Sequence, residues 1–387
     1  MISNIQFLRA FAALAVVFFH TKFLLWGGLH TDFQGVAIFF VISGFIIPRV
    51  SQQGSLEFVR HRIIRIIPIY WLATLFFLFP VGLKELTIIL MVLLPFISPY
   101  CQHHLKQATR YFAYRSTKPR WILLVIVIYS MIQMNPKLGL GNFLDSLFFI
   151  PEMSSGNKIG FPILAVGWTL NIEMFFYSIF ALALVFSRKL APAITALVLI
   201  LIKYLLVSET CTGTLCFWYG HEYTTYFIFG IGLYYLFEVA EKFKDRISLS
   251  SAFLLAVPAA ASYLVINLLP QDILTNRLVG YLAPPLLVFA ALTCHLAGVQ
   301  IKWKPVILMG DASYSIYLFH LSAFTIFSSI ARHVPVPDMD TLPGMLILLA
   351  MSTWIAILVH QKLELPLLRT LRRSVNPPSL LATSLPN

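Results

Sequence analysis

Long apolar runs recur through the whole of this 387-residue chain, and many of them are long enough to cross a lipid bilayer. Hydrophobic residues make up 59% of the sequence and charged residues only 11%, whereas soluble proteins carry about 25% charged residues. This composition excludes an ordinary soluble domain. It predicts an all-α fold, a polytopic transmembrane bundle of about 10–12 spans, since a helix satisfies its own backbone polar groups in lipid.

Hydropathy places twelve predicted spans along the chain. Their approximate limits are 5–26, 34–49, 66–83, 86–102, 121–134, 167–187, 190–207, 222–239, 249–268, 277–297, 306–330 and 343–365. The pair 86–102 and 121–134 has the weakest pattern, and removing both leaves ten spans with the same orientation. The apolar stretch 143–151 is interpreted as an interfacial piece or a shallow dip into the membrane. The first run has no small-residue cleavage pattern, so it is predicted to be a mature helix and not a signal peptide.

Basic connections set the predicted orientation of the bundle. The net charge is +12, and Lys and Arg gather in cytoplasmic loops of membrane proteins. With a cytoplasmic N-terminus, every strongly basic connection falls on the cytoplasmic side, at 60–65, 103–120, 187–189, 241–246, 302–304 and 369–373. Both termini are therefore predicted to be cytoplasmic. The chain divides into a transmembrane domain, 1–370, and a Pro- and Ser-rich cytoplasmic tail, 371–387, predicted to be disordered.

The first predicted helix carries Arg9 and, eleven residues later, His20. Eleven residues rise about 16 Å along a helix, so Arg9 is expected near the cytoplasmic interface and His20 beyond mid-membrane. Ionisable groups at that depth usually face the bundle interior or a wet cavity. A neutral imidazole there can act as a general base toward a hydroxyl. The alternative is a histidine satisfied by one interhelical hydrogen bond, and this segment alone does not decide between the two.

Arg62 and Arg65 lie one helical turn apart at the predicted start of the third span, just before Pro68. Two guanidiniums on one helix face form a good clamp for phosphate. The neighbouring Arg60 and His61 fit the alternative of a positive-inside membrane anchor. Anchoring explains a basic cluster, but it does not require a fixed pair followed by Pro and aromatic residues.

Polar groups also interrupt two other spans. Glu173 lies about one and a half turns into an apolar helix, where a carboxylate must be paired, hydrogen-bonded or protonated. Glu173 is interpreted either as a functional group or as a structural residue whose hydrogen bond to another helix holds the two in register. Asn171 lies about 200° from Glu173 around an ideal helix, so the two do not share a narrow face. Ser43 and Gly44 favour close helix packing, in which the serine hydroxyl can bond a neighbouring helix, and the alternative is a functional role.

A polar stripe is predicted on the eleventh span. Ser313, Tyr317 and His320 recur at spacings of four and three, so they share one helix face. They either line a cavity for a polar substrate or join helices. Asp311 is predicted to cap the start of this helix. Glu364, at the end of the last span, is assigned a helix-end structural role.

The remaining features exclude some classes of partner. The four cysteines do not follow a metal-binding spacing, and no metal site is predicted. Cys211 and Cys216 share a predicted external loop, where a disulfide can form. No soluble basic domain or RNA-binding signature is present, so no nucleic-acid partner is expected. The positive charge fits contact with anionic lipid or a phosphorylated ligand.

Five stretches, taken in order, resemble the membrane acyltransferase 3 family, and most closely its exopolysaccharide-production branch. They are the Arg9–His20 spacing, "FQGVAIFFVISGFII" at 33–47, "RIIRIIP" at 62–68, "FLDSLFFIPE" with "GWTLNIEMFFY" within 143–177, and "SYSIYLFH" at 313–320. The resemblance covers roughly residues 2–370. Ala37 departs from it, since the family often has Asp there, and the 84–140 region is longer than the family pattern.

The resemblance implies a multi-pass protein of the bacterial inner membrane that transfers an acyl group, usually acetyl. The donor would be cytoplasmic acyl-CoA, as a substrate with no bound cofactor. The acceptor would be a hydroxyl of an exported or cell-surface saccharide or lipid-linked glycan, with membrane lipid around the protein. His20 and Glu173 are the predicted catalytic residues. The predicted acyl-CoA-binding residues are Arg9, Arg62 and Arg65. The predicted substrate-cavity residues are Ser43, Trp168, Asn171, Ser313, Tyr317 and His320.

Two other classes of function compete with this interpretation. Buried ionisable groups and many spans are ordinary in transporters and flippases of polar or lipid-linked substrates. Such proteins often contain inverted repeats with broken helices, and this sequence shows no repeat. A sensor or structural protein gives no reason for the arginine, histidine and glutamate spacings. The enzyme interpretation further requires His20 and the Arg62–Arg65 pair to open onto one shared passage.

Overall fold

The computed structural model describes residues 2–25, 35–51, 54–79, 84, 140–154, 158–206, 214–268, 274–334, 336–337 and 341–375. Helices make up nearly all of these residues. In chain order they are α1 (Ser3–Leu25), α2 (Gly35–Val50), α3 (Ser55–Leu78), α4 (Leu140–Leu147), α5 (Trp168–Phe186), α6 (Ala191–Leu206), α7 (Thr214–Tyr219), α8 (Thr224–Glu241), α9 (Leu249–Leu268), α10 (Leu274–Leu296), α11 (Lys304–Asp311), α12 (Ser313–Ala331), α13 (Leu342–Val359) and α14 (Leu365–Val375).

Short irregular elements complete the described chain. Single 3₁₀ turns cover Ala165–Gly167 and Lys244–Arg246, and a π-helix, His360–Glu364, joins α13 to α14. After α4 comes a small antiparallel hairpin of β1 (Glu152–Ser154) and β2 (Lys158–Gly160). The apolar stretch 143–151 is therefore part of a short helix and the turn after it, which agrees with an interfacial piece and not a span.

The helical membrane bundle predicted from composition is confirmed. Among the described residues, five helical stretches are long and apolar enough to cross a membrane: Ser3–Thr21, Ser55–Leu78, Ala165–Phe186, Ser313–Ala331 and Leu342–Arg372. Shorter apolar helices include Gly35–Val50, Ala191–Leu206, Leu249–Val265 and Gly280–Leu296. Ten of the twelve predicted spans coincide with helices. The other two, 86–102 and 121–134, lie outside the described residues.

Contacts between helices give each of them a direction. α1 and α12 run parallel, because Gln6 bonds Asp311 at their beginnings and His20 packs against His320 further along both. We call the end of the bundle where α1 begins proximal and the opposite end distal. α2 begins beside the middle of α1, where Gly35 packs against Ala12 and Val16. It runs toward the proximal end in the same direction as α8, since Phe40 stacks on Phe227 and Arg49 pairs with Glu238 and Glu241.

The directions of α3 and α5 also follow from their contacts. Tyr314 near the start of α12 bonds the carbonyl oxygen of Ile66, and Phe319 packs on Phe76 further along, so α3 runs with α12 toward the distal end. α5 runs with α8 toward the proximal end, since Trp168 contacts Tyr223 and Phe176 stacks on Phe227. α3 therefore ends and α5 begins at the distal end, as both the ten-span and the twelve-span predictions require.

Close packing of α2 on α8 fixes the centre of the bundle. A Cβ atom on Gly44 would overlap the carbonyl oxygen of Phe227, and one on Gly230 would overlap that of Val41. Small residues allow two helix backbones to approach in this way. The packing interpretation of Gly44 is thus supported. At the proximal end, Arg49 lies 3.8 Å from carboxylate oxygens of Glu238 and Glu241, which joins the same two helices by ion pairs.

Three predicted boundaries differ from the structure. α3 begins at Ser55 and not near 66, because hydropathy stops at charged residues whereas arginine is a good helix former. Asp311 does not cap α12: it ends α11, and its carboxylate accepts a hydrogen bond from Gln6 at 2.9 Å. The last helix continues to Val375, five residues beyond the predicted domain boundary. Residues 376–387 of the predicted tail lie outside the described residues.

Candidate functional site

An elongated cavity of about 480 Å³ runs through the bundle beside α2. The α2 residues that line it extend from Val36, near the distal end of this helix, to Val50 at its proximal end. Fourteen residues of helix rise about 21 Å, so the cavity follows most of the thickness of the bundle. Its α2 wall is mainly apolar, with Phe39, Phe40 and Ile46 among the lining residues. We call this space the arginine cavity, after the groups described next.

Arg9 from α1 and Arg62 and Arg65 from α3 all line the arginine cavity. The structure therefore brings together the three residues predicted to bind acyl-CoA. Among the described residues, none of these guanidiniums has a carboxylate oxygen within 4.0 Å. Within the described part of the chain, the hydrogen bond that Arg9 donates is a long one, 3.4 Å, to the side-chain oxygen of Gln6. Positive charge held in a cavity without a directly paired carboxylate is suited to an anionic ligand.

Aromatic rings hold Arg62 in place. Its guanidinium carbon lies 5.6 Å from the ring centroid of Phe58 and 5.7 Å from that of Tyr177. Cation–π contacts of this kind orient a guanidinium without neutralising it. The Nε atom of Arg62 is buried and has no hydrogen-bond partner among the described residues. The positive-inside anchor interpretation does not account for this enclosed position.

Glu173 from α5 also lines the arginine cavity. Its Oε1 atom accepts hydrogen bonds from the Ser43 hydroxyl at 3.1 Å and from the Tyr177 hydroxyl at 2.5 Å. The bond to Ser43 joins α5 to α2, so the register-holding interpretation of Glu173 is supported. Because one carboxylate stands among several arginines, the net charge of the lining stays positive.

Tyr317 forms part of the cavity wall toward the distal histidines. Its hydroxyl lies 2.7 Å from the Val166 carbonyl oxygen, to which it donates, and 2.7 Å from the Thr169 hydroxyl. Its ring lies 6.3 Å from the ring of Phe39, another lining residue, and 6.3 Å from that of His320. Tyr317 and Phe39 therefore stand at the boundary between the arginine cavity and the histidines.

His20 and His320 form a pair distal to this boundary. Their ring centroids are 4.8 Å apart, with the ring planes tilted by 53°. The Nδ1 atom of His20 lies 2.9 Å from the Val16 carbonyl oxygen, and that of His320 lies 2.8 Å from the Tyr317 carbonyl oxygen. Neither histidine lines the arginine cavity. The polar stripe of α12 thus divides: Ser313 and Tyr317 line the cavity, and His320 faces His20.

The single passage expected from the sequence is not found in the described part of the chain. The cavity that holds the arginines does not include His20, and Glu173 lies at the arginine level and not beside His20. The two residues predicted to be catalytic are therefore not brought together. The position of each residue along the bundle explains their separation. Arg9 and His20 are about 16 Å apart along one helix, and Glu173 lines the same cavity as Arg9.

Two predicted cavity residues lie elsewhere. Trp168 begins α5 at the distal end, in an aromatic cluster with Trp218, His221 and Tyr223 at centroid distances of 5.5–6.5 Å. Asn171 is buried, and its side-chain oxygen has no partner among the described residues. Neither lines the arginine cavity, and the opposite helix faces predicted for Asn171 and Glu173 agree with this result.

Some cavity residues were missed from the sequence. Tyr177 ends the stretch "GWTLNIEMFFY", and the sequence predicted no role for it. In the structure its hydroxyl bonds Glu173 and its ring packs on Arg62. It lies four residues after Glu173, and this spacing puts both on one helix face. Arg49 also lines the cavity. Its place in the last turn of an apolar helix, next to the buried Pro48, gave no comparable signal.

Two smaller predictions have structural counterparts. Glu364 is buried at the end of the last span and accepts hydrogen bonds from Ser315 at 2.6 Å and from His360 at 2.7 Å. It joins α12 to the π-helix, as a helix-end structural role requires. Cys216 is disulfide-bonded, and its partner lies outside the described residues, as does Cys211.

Comparisons with known proteins identify the family of this chain. The exopolysaccharide production protein ExoZ of Rhizobium meliloti (strain 1021) is 29% identical over 349 residues, which cover 87% of this chain and 89% of ExoZ. No solved structure matches the chain. A family model described as the acyltransferase domain matches residues 2–361, which include all the site residues described above. Since this match spans nearly the whole chain, the protein belongs to the acyltransferase 3 family and is a multi-pass membrane member of it.

Proposed function

We propose that this protein transfers an acyl group, acetyl in the simplest case, from acyl-CoA to a hydroxyl of an exported saccharide. Membership of the acyltransferase family supports the reaction type. The name of the relative ExoZ, an exopolysaccharide production protein, supports a saccharide acceptor. The observation that carries the choice of donor is the arginine cavity, in which Arg9, Arg62 and Arg65 have no carboxylate within ion-pair distance among the described residues.

Acyl-CoA suits this cavity by charge and by shape. Its phosphate groups match guanidiniums, which bind phosphate oxygens in a bidentate manner. Its long, largely uncharged arm matches an elongated space with an apolar α2 wall. With the phosphates held at Arg62 and Arg65, the arm would run along α2 toward Phe39 and Tyr317. These are the last rings before the histidine pair, and the proposal requires Phe39 and Tyr317 to move aside and join the cavity to His20 in one passage.

In this proposal His20 is the general base. It removes the proton of the acceptor hydroxyl, the new C–O bond forms at the acyl carbon, the C–S bond breaks, and the thiolate leaves as CoA after protonation. General-base catalysis contributes roughly 10²–10⁴-fold to such a step. Negative charge on the thioester oxygen also needs a donor. Tyr317, Ser43 and Asn171 are the predicted candidates. In this structure the hydroxyls of Tyr317 and Ser43 donate to Val166 and Glu173, so either would have to leave its present acceptor to take that role.

The orientation of the bundle fits a donor and an acceptor on opposite sides. The arginines lie toward the proximal end, where the basic connections predict the cytoplasm. The disulfide of Cys216 lies in α7, which leads into the distal start of α8. Disulfides persist in oxidising compartments, so this bond supports an outward-facing distal end and a bacterial inner-membrane location.

The proposed function is tested with membranes that contain the protein, radiolabelled acetyl-CoA and the saccharide fraction of the same cells. We expect label on the saccharide as a base-labile ester, and none in membranes carrying His20→Ala. Parallel reactions with succinyl-CoA identify the acyl group. Label that stays on CoA while unmodified saccharide crosses the membrane would contradict the proposal and favour a transporter.

A further inference from the structure

The Nε2 atom of His320 has no role if His20 acts alone as the general base. Both Nδ1 atoms contact backbone carbonyl oxygens, of Val16 and Tyr317, at 2.9 and 2.8 Å. A carbonyl oxygen only accepts hydrogen bonds, so each Nδ1 carries the hydrogen of its neutral ring. The Nε2 atom of each neutral ring is then an acceptor. The backbone of α1 and α12 thus sets both rings in the same tautomer.

His320 is fully buried, and its Nε2 atom has no hydrogen-bond partner among the described residues. A buried acceptor without a donor is unfavourable, and native proteins rarely keep one without a reason. The ring is enclosed by Tyr317, Phe324 and His20, at centroid distances of 6.3, 5.6 and 4.8 Å. Of these three neighbours, only His20 offers a ring nitrogen as a donor.

His20 becomes such a donor when it has taken a proton. In the neutral pair, the two Nε2 acceptors have no hydrogen to share. A proton on Nε2 of His20 gives an imidazolium, whose Nε2–H can donate to the unprotonated Nε2 of His320. The Nε2 atom of His320 has no hydrogen-bond partner among the described residues, so the rings must rotate for this bond to form. The centroid separation of 4.8 Å allows it, because each ring nitrogen lies about one bond length from its ring centre.

We propose that His320 is the proton-sharing partner of His20, a positioning residue that stabilises the imidazolium formed during acyl transfer. This inference rests on the proposed function, because the proton comes from the acceptor hydroxyl. The acceptor O–H proton passes to His20, the acceptor oxygen bonds the acyl carbon, and the C–S bond of the thioester breaks. His20 then returns the proton to the thiolate, which leaves as CoA. His320 holds the shared proton meanwhile and is unchanged at the end.

Few other titratable groups contact the pair. Tyr317 uses its hydroxyl on Val166 and Thr169, away from the rings. Lys84 donates to the Thr325 hydroxyl at 3.3 Å, five residues beyond His320 on α12. Within the described residues, a charge that forms on His20 is therefore met by a neutral acceptor and not by a carboxylate.

The test compares three variants with the full-length wild-type protein. His320→Phe keeps a planar ring against Phe324 and removes both nitrogens. His320→Gln restores a side-chain acceptor. The matched control is His333→Phe, since the Nδ1 atom of His333 also contacts a backbone carbonyl oxygen, of Ser329 at 3.0 Å, but its ring is not paired with His20.

We expect His320→Phe to lower kcat by about 10–100-fold, the value of a hydrogen bond to a charged group, with the KM for acyl-CoA unchanged. His320→Gln should recover most of the loss, and His333→Phe should retain wild-type kcat. A purely structural role predicts that both His320 variants lose kcat together with thermal stability. That result, or an unchanged kcat in His320→Phe, would overturn the proposal.

A spectroscopic measurement separates this inference from the proposed function. In protein labelled with ¹⁵N-histidine, the Nε2 resonance of His20, assigned from its absence in His20→Ala, is followed as the pH is lowered. Its protonation should require a lower pH in His320→Phe than in the wild type, because the acceptor for the Nε2–H is gone, and should be unchanged in His333→Phe. Protonation at the same pH in His320→Phe and the wild type would overturn the pair. Absence of acyl transfer by the wild-type protein would instead overturn the proposed function, while the spectra still decide the pairing.

Discussion

The arginine cavity and the histidine pair differ in every physical respect that bears on chemistry. The cavity is open and elongated, and its lining carries several guanidiniums against the single carboxylate of Glu173. The histidine pair is enclosed by aromatic rings, and its groups are neutral until a proton arrives. Tyr317 and Phe39 stand between the two regions. The difference indicates a division of labour, in which one region binds an anion and the other handles a proton.

This division corrects the simplest view of the sequence. Arg9 and His20 are joined by one helix, which suggested a single site. The same helix holds them about 16 Å apart, and a rigid α-helix cannot shorten that distance. A ligand that reaches both must therefore be long. This requirement favours a donor with phosphates at one end and a reactive group at the other.

Replacement of His20 should have the largest effect on activity. We expect His20→Ala to lower acyl transfer by about 10²–10⁴-fold, the usual contribution of a general base. Expression and membrane insertion should not change, because the side chain bonds only its own helix through Val16 among the described residues. The measurement is ester formation on the saccharide. O-acyl groups retained at the wild-type level would remove His20 from the mechanism.

Replacement of the arginine pair should act on binding and not on proton transfer. We expect Arg62→Ala with Arg65→Ala to raise the KM for acyl-CoA at least tenfold, since each guanidinium–phosphate bond contributes about 1.5–3 kcal/mol. The matched control is Arg60→Ala on the same helix, because Arg60 is exposed and does not line the cavity. Equal KM values for the double variant and the control would reject the phosphate clamp.

The α2–α8 contact tests whether the frame around both regions is rigid. Gly44→Ala should destabilise the protein by about 1–3 kcal/mol, because the added Cβ atom overlaps the Phe227 carbonyl oxygen. Gly232→Ala on α8 should be neutral or slightly stabilising, since its Cβ atom meets nothing within 4 Å. Thermal unfolding in detergent measures both variants. Equal melting temperatures for Gly44→Ala and Gly232→Ala would show that α2 can shift relative to α8. The boundary between the arginine cavity and the histidine pair would then not be rigid.

The smallest effect is expected at Ser43. Ser43→Ala removes one of the two hydrogen bonds to Glu173 and leaves that from Tyr177. Loss of this bond should lower the free energy of unfolding by about 1 kcal/mol and leave the KM for acyl-CoA within about fivefold of the wild-type value. The kinetic comparison of Ser43→Ala with Glu173→Gln shows whether the carboxylate acts through Ser43. A larger loss of kcat than of binding in Ser43→Ala would place Ser43 near the reacting atoms.

Much of this architecture could be predicted from the sequence, because transmembrane helices are specified by local apolar runs. Four of the residues that the polar motifs singled out, Arg9, Arg62, Arg65 and Glu173, line one cavity. What could not be predicted was the grouping of side chains from different helices. The separation of His20 from Glu173 and its pairing with His320 depend on helix rotation and depth, which no single segment encodes.

The boundaries were less predictable for a related reason. Hydropathy ended the third span at its arginines, although α3 continues through them to Ser55. The same bias gave Asp311 a capping role, whereas the carboxylate bonds Gln6 on another helix. Charged residues inside a bundle are stabilised by tertiary contacts and by the cavity they line. A local pattern does not contain those contacts.

Binding of acetyl-CoA to purified protein tests the central claim, the separation of donor binding from proton transfer, most directly. The account predicts that His20→Ala binds acetyl-CoA as tightly as the wild type while transferring no acyl group. It predicts that Arg62→Ala with Arg65→Ala weakens binding at least tenfold. Loss of binding in His20→Ala as large as in the arginine double variant, or unchanged affinity in the double variant, would contradict it.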